Sequence, residues 1–344
     1  MQRRLEIVEY QTERDCLQAF FELMKGLYSC YPGIAEARFS EAGKNFNSKN
    51  PFLRAGSFSN FIALINGKAV AHATAIIDRR LPADIGLIGH FECIYDVEVA
   101  AQILARAEGF LRLHGKRTVR APINFTTWQA FRVSYPELRP PFCFEPFTRD
   151  YYRHLFAVHG YSVVQKNVST ISALQDSGFD VFREDFELLL EKGMVFETMA
   201  QRGEGIMSDI YELTRGSFSD TWSFVPISPE EFSYTFRAAS SLLDKDLVLV
   251  ARDKDRSPVG FCFSLLDLSS EHAPRLVVKT LAVHPAYRGM GISKALLFLI
   301  HIAAAEKKCN AVIASTMRGD NRVIRNIIKT AEIYREYEVY EKNI

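Results

Sequence analysis

The stretch that decides the fold reads Leu281-Ala282-Val283-His284-Pro285-Ala286-Tyr287-Arg288-Gly289-Met290-Gly291-Ile292-Ser293-Lys294-Ala295-Leu296-Leu297. Its pattern predicts a buried strand over 276–283, a glycine-punctuated turn, and an apolar helix from Ile292 to about Lys307. Gly289 and Gly291 allow positive φ and a close approach of the backbone to a ligand. The unpaired N–H groups at the helix start favour a phosphate or pyrophosphate there. The alternative is that the two glycines only make a tight turn.

Glycine spacing separates the kinds of phosphate-binding turn. A P-loop needs G-x-x-x-x-G-K-[ST], which this sequence lacks. A dinucleotide-binding turn needs G-x-G-x-x-G, but Lys294 stands at the third glycine position. In addition, Thr316, Met317 and Arg318 stand where an acidic residue would follow the next strand. The sequence therefore disfavours both.

The run Arg288-Gly289-Met290-Gly291-Ile292-Ser293 resembles the signature [QR]-x-x-G-x-[GA] of the GNAT superfamily of acyl-CoA-dependent acyltransferases, with Ser293 in place of Gly or Ala. The resemblance implies a mixed α/β fold. It implies that the backbone N–H groups from Gly289 to Lys294 hold the pyrophosphate of acetyl-CoA or another acyl-CoA, with added charge from Arg288 and Lys294. It also implies that Leu281, Ala282 and Val283 pair with pantetheine and that Asn321 meets the pantetheine arm. Asp320-Asn321 is equally a good helix N-cap pair.

Both halves of the chain show one order of predicted elements: strand, helices, hairpin, strand, helix, strand, helix, strand. Asn66-Gly67 predicts the first-half hairpin, Asp96 begins a helix that ends at Gly115, and the residues before Asn50-Pro51-Phe52 are predicted as a polar loop. We therefore expect two GNAT-like domains, 1–175 and 176–344, each a mixed and mostly antiparallel sheet flanked by helices.

The first half has no glycine where its cofactor turn should lie, at Phe91-Glu92-Cys93-Ile94-Tyr95-Asp96-Val97-Glu98, and its acidic residues would repel pyrophosphate. The first half is therefore predicted to be a degenerate copy. We expect one working acyl-CoA site, in the second half.

The groups that move protons are the least defined. The tyrosine that often serves as the acid in the family falls at Ile328 here, so Tyr334 is the candidate acid, with aromatic packing as its alternative role. Glu92 is the candidate base, and Glu271-His272 is a second option. No histidine or carboxylate spacing predicts a metal site.

Composition limits the remaining possibilities. The chain has 344 residues, enough for about two domains. Its 42 Lys and Arg nearly balance 41 Asp and Glu, so no global field attracts nucleic acid or an anionic membrane. The six cysteines are scattered, and no apolar run reaches the ~20 residues of a membrane span. The sequence predicts a cytoplasmic protein with reduced cysteines.

The expected function is transfer of a short acyl group from acyl-CoA to an amine of a small molecule, by direct attack. One alternative is a CoA-binding or regulatory protein without turnover. Another is an acyltransferase that uses acyl carrier protein or a peptide or protein amine. The acceptor and the oligomeric state are left open.

Overall fold

The computed structural model describes residues 4–31, 33–236, 243–270, 272–318 and 331–344. Its helices and strands follow the predicted alternation along the chain. In chain order they are β1 (Leu5–Tyr10), α1 (Arg14–Leu27), α2 (Ile34–Asn45), β2 (Gly56–Ile65), β3 (Lys68–Asp78), β4 (Ile85–Cys93), α3 (Val97–Leu113), β5 (Thr118–Ala121), β6 (Val133–Tyr135), α4 (Tyr152–Val158), β7 (Ser162–Ala173), α5 (Arg183–Glu191), β8 (Val195–Thr198), α6 (Met199–Arg202), α7 (Ile206–Phe218), α8 (Pro229–Phe236), β9 (Val248–Arg252), β10 (Pro258–Asp267), β11 (Arg275–Val283), α9 (Ile292–Glu306), β12 (Ala311–Arg318) and β13 (Glu332–Asn343).

The chain forms two compact units that are not contiguous in sequence. The first comprises residues 1–141, 146–166 and 337–344, and the second comprises residues 142–145 and 167–336. The first unit includes residues 337–344 at the end of β13, and the main part of the second unit begins at residue 167, within β7, so these bounds differ from the predicted halves 1–175 and 176–344. Local periodicity carries no information about which unit a segment of a strand joins.

In the first unit, β1, β2, β3 and β4 are antiparallel neighbours, β5 is parallel to β4, and the end of β13 pairs antiparallel with β5. Asn66 and Gly67, with φ of 50° and 76°, connect β2 to β3 as the sequence predicts. The α3 helix packs its apolar face on this sheet, and its core includes Ile103, Leu104 and Leu111.

The second unit repeats the same order of strands. β8, β9, β10 and β11 are antiparallel neighbours, β12 is parallel to β11, and β7 is antiparallel to β12. The α9 helix packs on this sheet through Ala295, Leu296 and Ile300, which are fully buried. The predicted mixed, mostly antiparallel architecture is therefore present in both units.

The α2 helix corrects the sequence prediction, which placed a polar loop there. Gly33 precedes it in the left-handed conformation at φ 84°, and its buried positions are Ala35, Ala42 and Asn45. Arg38 and Glu41 of this helix also make polar contacts inside the unit, to Glu92 and Asn124. Because the inward face is partly polar, the apolar period that indicates a helix is weak.

The segment 134–148 contains four prolines, which favour an irregular loop over the surface, and it is largely irregular but does not run only over the surface. Phe142 and Phe147 are buried. Residues 142–145 belong to the second unit, where Glu145 forms a 2.7 Å ion pair with Arg335, both fully buried. Among the residues described above, no helix combines the length and hydropathy needed to cross a membrane.

Candidate active site

The central feature of the second unit is a bulge in β11. Phe263 of β10 pairs with Thr280 and Ser264 pairs with Val278, so Lys279 is the extra residue in β11. The parallel pairing of β11 with β12 extends only to Val278 and Ala314. Beyond the bulge the two strands share no ladder within the described residues. The predicted residues Leu281, Ala282 and Val283 pair with β10 on one side of β11, and on the β12 side they have no ladder partner among the described residues, so another extended chain can add to the strand there.

A glycine-bearing turn follows β11 directly. A short 3-10 helix over Pro285–Tyr287 leads into Gly289 at φ 83° and Gly291 at φ 90°. Gly291 is the N-cap of α9, and no side chain caps this helix start. Within the ranges that the structure describes, the backbone N–H groups from Gly289 to Lys294 donate to no protein acceptor. These orphan donors form a cradle suited to an anion.

The turn is held firmly against the β9–β10 hairpin. The His284 N–H donates to the Val259 carbonyl at 2.8 Å, and the Tyr287 hydroxyl donates to the Asp253 carboxylate at 2.7 Å. A Cβ atom on Gly260 would lie 3.0 Å from Ile292 Cγ2, so a glycine there lets α9 approach the sheet. The helix start is therefore fixed before any ligand arrives.

Two cations flank the turn, and the structure shows what each contacts. Lys294 Nζ lies 3.1 and 3.2 Å from the two carboxylate oxygens of Asp185, a residue of α5. Asp185 Oδ1 also lies 3.0 Å from the place where a Cβ on Gly291 would stand. Arg288 donates to the carbonyls of Val283 and Ser217 at 3.4 and 3.3 Å. Sequence reasoning missed Asp185, since nothing in its local pattern links α5 to this turn.

The corresponding place in the first unit is closed. The β4–β5 pairing ends at Leu87 and Arg120, but the chain after β5 stays on β4: the Ile123 N–H donates to the Ile88 carbonyl at 2.9 Å. The Asn124 side chain accepts from the His90 N–H at 2.7 Å. A Cβ on Gly89 would be 2.3 Å from the Ile123 carbonyl oxygen. The backbone of residues 123–124 therefore occupies, beside β4, the position that corresponds to the β12 side of β11 beyond Val278 in the second unit.

The helix start of the first unit is also closed. The Asp96 carboxylate accepts from the N–H groups of Glu98 and Val99, both at 3.1 Å. This cap satisfies the donors that an anion would need and places a negative charge on the position. One chain thus carries an uncapped glycine turn at α9 and a carboxylate-capped turn at α3.

Tyr334, the predicted acid, lies in β13 and is 5% exposed. Its oxygen accepts from Arg275 at 3.2 Å, and Arg275 also donates to Asp267 at 2.8 Å. Arg275 is the first residue of β11, four residues before the bulge, which is about 13 Å along a strand. The aromatic packing that was the alternative role is present too, because Phe142 packs edge-on to the Tyr334 ring.

Glu92, the predicted base, is fully buried in the first unit. Its carboxylate accepts from the hydroxyls of Tyr28 and Tyr152, both at 2.8 Å, and forms an ion pair with Arg38. Burial, together with this carboxylate, raises the pKa of both tyrosines well above the usual value. Glu92 is thus held in a network of its own unit.

Some predicted residues lie outside the described residues, namely Asn321, Ile328 and Glu271. Within the described ranges, no group of three or more His, Cys, Asp or Glu side chains is placed to hold a metal ion. His284 caps the 3-10 helix through Nδ1, which accepts from the Ala286 N–H at 3.3 Å.

Comparison with known proteins shows that this chain is similar to members of the acetyltransferase (GNAT) family. Residues 207–326 match the sequence model of the acetyltransferase (GNAT) family. Protein YghO of Escherichia coli K12 is 23% identical over 366 aligned residues, covering 95% of this chain and 93% of that protein. A tandem GNAT protein from the clavulanic acid biosynthesis pathway matches with a TM-score of 0.61 at 13% identity, covering 99% of this chain and 98% of that one. A GCN5-related N-acetyltransferase from Sphaerobacter thermophilus matches with a TM-score of 0.54 at 13% identity, covering 98% and 95%.

Proposed function

Because the chain is a tandem GNAT-like protein, we propose that its second unit transfers an acyl group, most simply acetyl, from acyl-CoA to an amine of a small molecule. The observation that carries this proposal is the combination of a bulged β11, which has no ladder on its β12 side beyond Val278 among the described residues, with an uncapped glycine turn directly after it. A long anionic thioester can pair with the strand at one end and place its phosphates on the turn at the other.

The proposed binding mode assigns each part of the donor to a part of the chain. The orphan N–H groups from Gly289 to Lys294 hold the pyrophosphate, aided by the charges of Arg288 and Lys294. Leu281, Ala282 and Val283 pair with the pantetheine arm, and Asn321 remains a proposed contact to it. The bulge at Lys279 brings a backbone N–H toward the thioester carbonyl.

The proposed reaction is a direct displacement. The neutral amine nitrogen attacks the thioester carbon, and the carbonyl oxygen gains negative charge that the N–H at the bulge stabilises. The C–S bond then breaks, the amide forms, and CoA leaves as a thiolate that takes up one proton. The amine loses one proton to a base, so charge and atoms balance.

Tyr334 and Glu92 stay predictions as acid and base. Tyr334→Phe tests the first role: a kcat loss of about 100-fold in a stably folded variant would support proton transfer. A lower thermal midpoint with unchanged kcat would leave Tyr334 with the packing role that Phe142 and Arg275 indicate. Glu92→Gln tests the second role: a kcat loss in a stably folded variant, together with a changed pH dependence of kcat/KM, would support a base at Glu92. A lower thermal midpoint with unchanged kcat would leave Glu92 with a structural role.

The activity is tested by free-thiol release from acetyl-CoA, propionyl-CoA and octanoyl-CoA across a panel of amines, with product mass as the check. We expect amine-dependent thiol release with at least one donor. CoA binding without turnover on any amine would favour the regulatory alternative. Turnover with acyl carrier protein and none with acyl-CoA would replace the donor. No CoA binding would remove the proposal.

A further inference from the structure

The first unit contains an open groove beside α4 that the acyltransferase proposal does not use. The groove holds about 430 Å³, which is within the range of small-ligand sites. Its lining includes Tyr135 at the end of β6, and Asp150, Tyr151, Arg153 and His154 at the start of α4. All of these residues belong to the first unit, so the groove is formed by that unit alone.

Arg153 presents a fixed guanidinium to this groove. Its Nε donates to the Glu338 carboxylate at 2.9 Å, and its Cζ lies 3.5 Å from the centre of the Tyr135 ring. Nη1 and Nη2 donate to no acceptor in the part of the chain that the structure describes, and 43% of the side chain is exposed. The guanidinium is therefore oriented in advance, and its two outer nitrogens are left to bind an oxyanion.

The Glu338 carboxylate does not cancel the charge on this side of the groove. It accepts from the hydroxyls of Tyr135 and Tyr340 at 3.1 and 2.6 Å, and Lys166 Nζ lies 3.5 Å from it. Burial opposes its ionisation, but the hydrogen bonds from Tyr340 and Arg153 outweigh burial and lower the pKa of this carboxyl. Two cations therefore share one carboxylate, and one positive charge remains.

The negative charge in the groove belongs to Asp150. Its backbone N–H donates to Glu137 at 2.7 Å, but its carboxylate accepts no hydrogen bond from the described residues. Oppositely charged side chains three residues apart in a helical turn are near enough to pair, yet Asp150 and Arg153 form no ion pair, and Arg153 binds Glu338 instead. The groove therefore carries a cationic and an anionic group that do not neutralise each other.

Aromatic rings adjoin these charges. Tyr95 is 64% exposed, and its ring centre lies 5.0 Å from that of Tyr151 and 6.0 Å from that of His154. The Tyr151 hydroxyl donates to the Cys93 carbonyl at 2.8 Å, which fixes this ring at the groove. A flat apolar group can pack on these rings in an offset or edge-on arrangement.

We propose that this groove binds a small zwitterion of the aromatic α-amino acid class. The ligand's carboxylate pairs with Arg153, its ammonium group pairs with Asp150, and its ring packs on Tyr151 and His154. A plain carboxylate would leave Asp150 unmatched, and a plain amine would leave Arg153 unmatched. The site lies wholly in the first unit and does not depend on acyl-CoA binding or acyl transfer.

The test is ligand-observed NMR titration of the full chain with three compounds that share a phenyl ring. Phenylalanine has both charges, 3-phenylpropionate lacks the amine, and 2-phenylethylamine lacks the carboxylate. At matched ionic strength we expect phenylalanine to bind and each of the other two to bind about tenfold more weakly. No binding of phenylalanine, or equal binding of either of the other two compounds, overturns the proposal. This comparison uses the wild-type chain, so it does not require any variant to fold.

Two variants assign the two ends of the ligand. Arg153→Gln should weaken phenylalanine binding about tenfold and leave 2-phenylethylamine binding unchanged. Asp150→Asn should weaken phenylalanine binding and leave 3-phenylpropionate binding unchanged. The matched controls Arg106→Gln and Asp84→Asn remove the same charges from exposed positions of the first unit and should change nothing.

The variants also have outcomes that would contradict the proposal. Equal weakening of all three compounds in stably folded variants would mean that Arg153 and Asp150 act only on the structure, and would overturn the assignment. Unchanged phenylalanine binding in both variants would mean that the amino acid binds elsewhere, such as the acceptor side of the second unit, and would overturn the proposal while leaving the proposed acyl transfer intact.

Discussion

Gly289 offers a controlled way to place one charge in the cofactor turn. Its φ is 83°, and a Cβ there would meet no atom within 4 Å, so a small side chain has room. Asn and Asp tolerate this left-handed conformation better than other residues. Gly289→Asn and Gly289→Asp therefore share the backbone cost and the side-chain size, and differ by one negative charge.

The magnitude follows from Coulomb's law. A carboxylate about 8 Å from one unit of phosphate charge costs about 2 kcal/mol at an effective dielectric constant near 20. Because the turn is exposed, salt screens part of this, and we expect about a tenfold weaker binding of acetyl-CoA to the Asp variant than to the Asn variant. Isothermal titration calorimetry at low and high salt measures it. The difference should shrink as salt is raised.

The reasoning is refuted if the two variants bind acetyl-CoA equally while the wild type binds well. That result would mean that the phosphates lie far from Gly289. If both variants lose acetyl-CoA binding, the turn needs glycine for its conformation. The charge argument is then tested by Asp185→Asn, which changes the charge next to Lys294.

Three further outcomes are expected. Asp185→Asn frees Lys294 from its carboxylate partner and should tighten acetyl-CoA binding two- to fivefold by calorimetry, whereas Glu184→Gln on the same helix should not; weaker binding would mean that Asp185 positions Lys294. Burial lowers the pKa of His72 to about 3, so protonation of the unfolded state should reduce stability as pH falls from about 6.5 towards 3. Urea titrations of His72→Gln should therefore show a slope shallower by up to about 1.4 kcal/mol per pH unit, and an unchanged slope would contradict this. Glu145→Ala removes one partner of a fully buried ion pair with Arg335 and should cost about 3–5 kcal/mol of unfolding free energy, while Glu145→Leu with Arg335→Leu should cost less; equal losses in both would show that the pair's charges do not matter.

Much of the architecture could be predicted because local signals were strong. The Asn66-Gly67 turn, the Asp96 cap and the apolar period of α9 each act over a few residues, and the structure contains all three. The α2 helix could not be predicted, because Arg38 and Glu41 turn polar groups inward and remove the apolar period. A conflict between local pattern and structure is expected at such polar interiors.

The candidate site, too, could be predicted only in part from the sequence. The turn from Arg288 to Lys294 is a contiguous motif, so the sequence places it correctly between a strand and a helix. The bulge at Lys279 and the approach of Asp185 depend on strand register and on packing between distant segments, for which the sequence has no local signal. The same holds for the first unit. The sequence shows that its turn lacks a glycine, but it has no signal that the backbone of Ile123 lies against β4 at Gly89.

The central claim is that one acyl-CoA site exists and lies in the second unit. Hydrogen exchange of the full chain with and without saturating acetyl-CoA tests it most directly, because the N–H groups from Gly289 to Lys294 have no protein acceptor in the described structure and should exchange fast until phosphate binds them. We predict new protection in peptides covering residues 279–295 and none in those covering residues 88–99. Protection over 88–99, or no protection at 279–295 under saturating acetyl-CoA, would contradict the account.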